Sequence, residues 1–181
     1  MPTEQIICIG ASSGGIETLR TLVTGLPADF SASIIVVLHT SAESPGILGA
    51  ILDRSGPLPA ANAVNREHIQ PGRIYVAPPD YHTLVEPGTI RLMRGPKENR
   101  FRPAIDPLFR SAASVYGPMA VGVILSGNLD DGTAGLRAIK QLGGTTIVQD
   151  PEDALFSSMP RSALEHVRVD YCLPVAEMPV C

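Results

Sequence analysis

A three-layer α/β/α domain with a mostly parallel sheet is predicted by three features of the 181-residue sequence. Continuous apolar runs recur at 6–9, 33–38 and 119–125, and each ends in a polar or glycine-rich turn. Stretches with apolar residues at helical spacing lie between them. An unbroken β-branched run suits a strand buried on both faces, as in parallel sheets covered by helices. Composition agrees: 44% hydrophobic and 18% charged residues is ordinary for a globular chain, and the length suits one domain over 1–181.

Each element has its own signal. Ile6, Ile7, Cys8 and Ile9 read as a buried strand, and Gly10-Ala11-Ser12-Ser13-Gly14-Gly15 cannot continue it. Ile16, Leu19, Leu22, Val23 and Leu26 then keep helical spacing until Pro27. Ser33–Leu38 is the second strand, and a right-handed crossover makes the two parallel. Ser44-Pro45 has the form of an N-cap and first helical proline, with Ile47, Leu48, Ile51 and Leu52 as the buried stripe before Gly56. Short runs at 61–65 and 73–77 flank a turn at Gln70-Pro71-Gly72-Arg73, and the middle of the chain reads as an insertion or edge element. Within it, 82–86 and 89–93 flank Pro87-Gly88 and predict a small antiparallel hairpin. Asp106-Pro107 repeats the cap-plus-proline form ahead of Leu108, Phe109, Ala112, Ala113 and Tyr116. After the strand at 119–125, helical spacing resumes at Ala134, Ala138, Ile139 and Leu142, with Gly143-Gly144 as its stop. A strand at 145–148, a helix opening at Met159-Pro160 and a strand at 169–173 complete the alternation.

The turn after the first strand carries the first chemical signal. Gly10-Ala11-Ser12-Ser13-Gly14 fits G-x-S-x-G, in which a strained turn presents a serine hydroxyl, and the following helix aims N–H groups and a positive dipole end at it. The same strand–turn–helix layout also binds phosphates. The second strand decides between them. A dinucleotide site wants an acidic residue there for the ribose, whereas this chain has His39. Neither G-x-G-x-x-G at this turn nor a G-x-x-x-x-G-K-[ST] loop is present. Carboxyl ends of parallel strands share one rim, so Ser12, His39 and a carboxylate from the loop 126–132 can converge as nucleophile, base and orienting acid. Each has a bland reading: Ser12 as part of a helix cap, His39 as a hydrogen-bonded strand end, Asp131 as N-cap of the helix near Gly132.

The net charge of −4 argues against general nucleic-acid binding. No apolar run approaches the ~18 residues of a membrane span, and Met1-Pro2-Thr3-Glu4-Gln5 lacks the features of a signal peptide. Cys8, Cys172 and Cys181 read as reduced thiols of a cytoplasmic protein. His39, His68, His82 and His166 show no metal-ligand spacing, so neither metal nor cofactor is expected. Arg91, Arg94, Lys97, Arg100 and Arg102 make a local positive loop, either a solvated face or a clamp for an acidic partner.

Together these residues resemble the catalytic domain of the chemotaxis protein-glutamate methylesterase family (CheB type). The resemblance runs from about Ile6 to Leu173 and rests on Ile9-Gly10-Ala11-Ser12-Ser13-Gly14-Gly15, His39, Tyr75-Val76-Ala77-Pro78-Pro79-Asp80-Tyr81-His82, Asn99-Arg100-Phe101-Arg102-Pro103 with Asp106 and Leu108-Phe109, and Val121–Gly127 leading to Asp131-Gly132. It implies Ser12 as nucleophile, His39 as general base and Asp131 as the triad aspartate. It also implies demethylation of glutamyl methyl esters on the chemoreceptor cytoplasmic region, with methanol released, and deamidation of receptor glutamines. Backbone N–H groups at Ser13 and near Asn128 are the expected oxyanion donors, and Arg100 and Arg102 the expected contacts to an acidic receptor helix. Two departures stand out: Ser13 replaces a frequent threonine, and Leu129 replaces a loop glycine. Typical members also carry an N-terminal receiver domain. A chain that starts at the catalytic strand is expected to be an excised domain or a standalone form, with a separate regulatory protein as a possible partner. The alternatives are a general α/β-hydrolase using Ser12, Asp131 and His166, and a non-catalytic receptor-binding module.

Overall fold

A computed structural model describes residues 4–180; residues 1–3 and Cys181 lie outside it. Nine strands and five α-helices alternate among the described residues: β1 Ile6–Ala11, α1 Gly15–Thr24, β2 Ser33–Leu38, α2 Leu48–Ser55, β3 Ala60–Asn62, β4 Ile74–Val76, β5 His82–Glu86, β6 Thr89–Met93, α3 Ile105–Tyr116, β7 Ala120–Ile124, α4 Thr133–Gln141, β8 Thr145–Gln149, α5 Ser158–His166 and β9 Tyr171–Leu173. Seven strands form one parallel sheet in the order β3-β4-β2-β1-β7-β8-β9. β5 and β6 form the separate antiparallel hairpin, with the bounds the turn signals predicted.

Alternate side chains of each buried strand feed two cores. Cys8, Ile35 and Val37 pack with α3, α4 and α5 residues such as Phe109, Leu136 and Met159, while Ile9, Ile34 and Val36 pack with Leu19, Leu22 and Leu52 of α1 and α2. This two-sided burial is why these strands read as unbroken apolar runs. The strand order reverses at β1, whose neighbours are β2 on one side and β7 on the other. Ala11 pairs with Leu38 and Gly10 with Ile124, so the carboxyl ends of all three strands finish level at the switch point. Open α/β sheets place ligands in that crevice.

Four expectations are corrected. β3 and β4 are not an insertion: they are the edge alternative, pairing parallel and extending the main sheet with β3 as its edge strand. At three residues each they are too short to show a period. α2 starts at Leu48 rather than behind Ser44, because Gly46 sits at φ +65° and breaks the helical path; Ser44 Oγ accepts from the Gly46 N–H instead. α3 starts at Ile105, which places Asp106 inside the first turn and not at the cap. Ile47, expected in the buried stripe of α2, stands exposed just before the helix. A closing 3-10 segment, Val175–Val180, had no sequence signal and covers part of the α1 face. Cys8 and Cys172 are free thiols. Among the described residues no helix is long and apolar enough to cross a membrane.

Candidate active site

Ser12 leaves β1 in a turn pinned from both sides. Its N–H donates to Ser126 O at 2.9 Å, and its carbonyl accepts from Gly15 N–H at 2.9 Å. Buried Ser126 is the hub: its Oγ donates to Ser13 O at 2.8 Å and accepts from Phe156 N–H at 3.0 Å, while its N–H donates to Gln149 Oε1 at 2.8 Å. A Cβ on Gly127 would fall 2.8 Å from Ser12 Cβ, so only glycine lets the loop after β7 come this close. The expected strain at the serine is absent. Ser12 is not among the left-handed residues, and Gly14, at φ +75°, takes the turn instead. Asn128 Nδ2 donates to Ser13 Oγ at 3.2 Å, bringing the two expected oxyanion residues together.

His39 follows β2 directly, and its N–H donates to Ala11 O at 3.1 Å, which sets it beside the serine turn. Its ring is bound at Nε2 to Asp131 Oδ2 at 2.6 Å. A carboxylate only accepts, so Nε2 carries the hydrogen and the neutral ring keeps its lone pair at Nδ1. That Nδ1 is buried and has no hydrogen-bond partner. His39 and Ser12 line the same cavity of about 750 Å³. No Ser12–His39 hydrogen bond is formed, which is common before substrate tightens a site. Phe101 stacks on the imidazole at 3.5 Å and 4°.

Asp131 is fully buried and surrounded by donors. Oδ2 accepts from His39 and from Ile105 N–H at 2.7 Å; Oδ1 accepts from Asn99 Nδ2 at 2.8 Å and Asp106 N–H at 3.2 Å. It therefore caps α3, not the adjacent α4, whose N-cap is Gly132 without a side-chain bond. Burial pushes its carboxyl up, but the bonds from His39, Ile105 and Asn99, with the positive charge that His39 carries when protonated, outweigh this and hold it below the ordinary range. Asp106 goes the opposite way. Burial raises it, with the Asp131 charge adding, against bonds from Gly135 N–H at 2.7 Å and from Asn99 Nδ2 at 2.7 Å. One amide thus bridges two buried carboxylates. The two shifts give opposite slopes of stability against pH. With a raised folded pKa, Asp106 adds stability as pH falls toward the unfolded value of ~3.9. With a lowered one, Asp131 contributes fully above ~3.9 and loses its contribution as pH falls further, through its folded pKa. The Asp106→Ala variant lacks the gain from Asp106, so the urea midpoint of wild type relative to the variant is expected to rise as pH falls from 6 through the raised Asp106 pKa, and to level off below ~3.9. The steep acid loss stays in both.

The loop that supplies Asn99 and Phe101 is a tight turn. Glu98 and Phe101 exchange backbone bonds of 2.8 and 3.1 Å, and Asn99 and Arg100 between them both have positive φ, 50° and 76°, as a type I′ turn requires. Arg100 and Lys97 line the cavity. Arg102 lines it too, but its guanidinium is committed: Nε and Nη2 donate to Asp80 Oδ1 at 2.9 and 2.6 Å, and Nη1 to Gly95 O at 2.9 Å. It braces the loop from the cavity wall. The bonds and charge of Arg102, with the charge of Arg94, hold Asp80 below the usual carboxylate range. His166 sits in the last turn of α5, bonded through Nδ1 to Ser162 O, in a small polar pocket that does not include Ser12. The arrangement that would use it as base is absent.

Leu129 sits at φ +66°, so the loop keeps the glycine-like conformation despite the leucine, whose side chain is 48% exposed. Left-handed backbone costs a non-glycine residue about 1–2 kcal/mol.

The sequence pattern of the CheB methylesterase family matches residues 7–180. A Leptospira interrogans protein provisionally named protein-glutamate methylesterase/protein-glutamine glutaminase is 41% identical over 175 residues, covering 96% of this chain and 91% of that protein. An Anaeromyxobacter dehalogenans protein-glutamate methylesterase/protein-glutamine glutaminase is 39% identical over 97% of this chain, which spans only 51% of that relative. The crystal structure of the Thermotoga maritima CheB methylesterase catalytic domain superposes with a TM-score of 0.94 at 34% identity, covering 99% of this chain and 97% of that one. With fold, rim and sequence in agreement over nearly its whole length, the chain belongs to the CheB methylesterase family.

Proposed function

We propose that the protein hydrolyses glutamyl methyl esters, and the side-chain amides of glutamine, on the cytoplasmic helices of chemoreceptors, with 1–181 acting as one catalytic unit. The observation that carries this reading is the His39 ring. It is anchored at Nε2 by Asp131, with an unpartnered Nδ1, in the cavity that Ser12 lines. Ser12 Oγ attacks the ester carbonyl while His39 Nδ1 takes its proton. The tetrahedral oxyanion faces the backbone N–H groups of Ser13, in the turn before α1, and Asn128, in the loop after β7, where one such donor is worth ~10²–10³ in rate. His39 returns the proton to the leaving methoxide, and methanol departs. Water activated by the same nitrogen then releases glutamate and restores Ser12.

The test is methanol release from a methylated chemoreceptor cytoplasmic fragment. Release is expected, together with labelling of Ser12 by a phosphonate ester. Binding without release would favour the non-catalytic module. Arg100 supplies the substrate-specific arm. Its left-handed position favours glycine, so Arg100→Gly removes a cation from the rim and relieves the turn. Turnover of the acidic receptor fragment is expected to fall by ~3- to 10-fold, a loss of up to ~1.4 kcal/mol, while a small neutral methyl ester is spared. Equal loss on both substrates would mean that Arg100 serves the catalytic geometry and not the receptor.

A further inference from the structure

The imidazole of His39 is held by one hydrogen bond, Nε2 to Asp131. A single hydrogen bond does not by itself stop the ring tilting about the axis through it, so packing around the 3% exposed side chain must. What opposes the tilt is the face of Phe101, 3.5 Å away and within 4° of parallel. At that separation the stacked rings are in van der Waals contact, and a tilt of a few tens of degrees drives an imidazole edge into the phenyl face. We propose that Phe101 is a positioning residue, fixing the plane of the His39 ring so that Nδ1 keeps its place behind the wall of the cavity that His39 and Ser12 line. The inference rests on the reading of His39 as the general base.

The loop is built to hold Phe101 rigidly. Phe101 closes the 98–101 turn with two backbone bonds to Glu98. Glu98 pairs with Arg110 of α3 at 2.7 Å, and Arg102, next in the chain, is locked to Asp80. The same turn sends the Asn99 amide to Asp131. One four-residue turn therefore grips the base by its face and the orienting carboxylate by its second oxygen. Two consecutive non-glycine residues at positive φ are retained where the turn meets the site. Such strain persists only where surrounding contacts hold it.

The test is a substitution series with two readouts: methanol release from methylated chemoreceptor fragment, and NMR of the ring-labelled histidines without substrate, with His39 assigned through His39→Gln. Phe101→Ala is expected to lower kcat ~10- to 100-fold with KM changed less than about twofold. Phe101→Tyr keeps the flat face and is expected to stay within about threefold of wild type. Phe101→Leu keeps apolar bulk without the face and is expected to behave like the alanine variant. In the NMR spectra all four proteins keep the Nε2–H tautomer that Asp131 fixes; wild type and Phe101→Tyr show one sharp set of His39 ring signals, whereas the alanine and leucine variants show ring signals broadened by exchange between orientations. Full activity in Phe101→Leu, or His39 ring signals as sharp in Phe101→Ala as in wild type, would overturn the proposal. Should Ser12 prove dispensable for turnover, the hydrolase reading falls by itself, and the NMR series still decides whether Phe101 holds the ring.

Discussion

Ser12→Ala is expected to reduce methanol release by ~10⁴- to 10⁶-fold while leaving the fold intact. The rate estimate follows from removing the atom that forms the covalent intermediate. What remains is the oxyanion donors and binding, which in triad hydrolases still give ~10³–10⁴ over water. The structural side is equally specific. Ser12 is held by its backbone, through bonds to Ser126 and Gly15, and its hydroxyl makes no bond within the protein among the described residues. Alanine keeps the Cβ that Gly127 packs against, so stability is expected to change by less than about 0.5 kcal/mol. Kinetics on the receptor fragment and a urea titration check both halves. Release unaffected by the substitution would remove Ser12 as nucleophile; loss of activity with loss of fold would contradict the backbone account of the turn.

Ser12, His39 and Asp131 were legible in the sequence because each directly follows a strong buried strand or its loop, and parallel strands bring such ends to one rim. The supporting residues were not legible as a group. Asn99 and Phe101 come from a turn far from all three strands, and their roles depend on contacts spanning 32 residues to Asp131 and a stack on His39. The helix starts failed for a related reason. Asp-Pro at 106–107 looks like a local cap, yet α3 is capped from the loop after β7 by Asp131, which frees Asp106 to bind Gly135 at the start of α4. Local propensity sees only near neighbours, whereas here two helix N-termini are satisfied across the chain. Ser126 was similarly hidden: as a serine ending an apolar strand it reads as a strand stop, but it is the buried hub of the turn that carries Ser12.

Asp131→Asn is expected to cost both activity and stability, and the two losses have separable causes. Four donors converge on the carboxylate: His39 Nε2, Ile105 N–H, Asn99 Nδ2 and Asp106 N–H. An amide offers one oxygen, so its NH₂ group must face two donors whichever way it lies. If the NH₂ faces His39, the imidazole must accept at Nε2 and carry its hydrogen at Nδ1, where it can no longer take the serine proton. That wrong tautomer is worth a loss of ~10⁴ in kcat. If the NH₂ faces Asn99 and Asp106 instead, His39 keeps its tautomer but loses the negative charge that stabilises the imidazolium, and the donors Asn99 Nδ2 and Asp106 N–H lose their acceptor at this position. Either orientation strands buried donors at ~1–3 kcal/mol each, so unfolding is expected about 2–4 kcal/mol more easily, measured by urea. The histidine NMR spectrum tells which orientation the amide takes, since only the first moves the hydrogen to Nδ1. Wild-type kcat in Asp131→Asn, with the stability loss present, would reduce Asp131 to a helix cap, and His39 would then owe its orientation to the face of Phe101 alone.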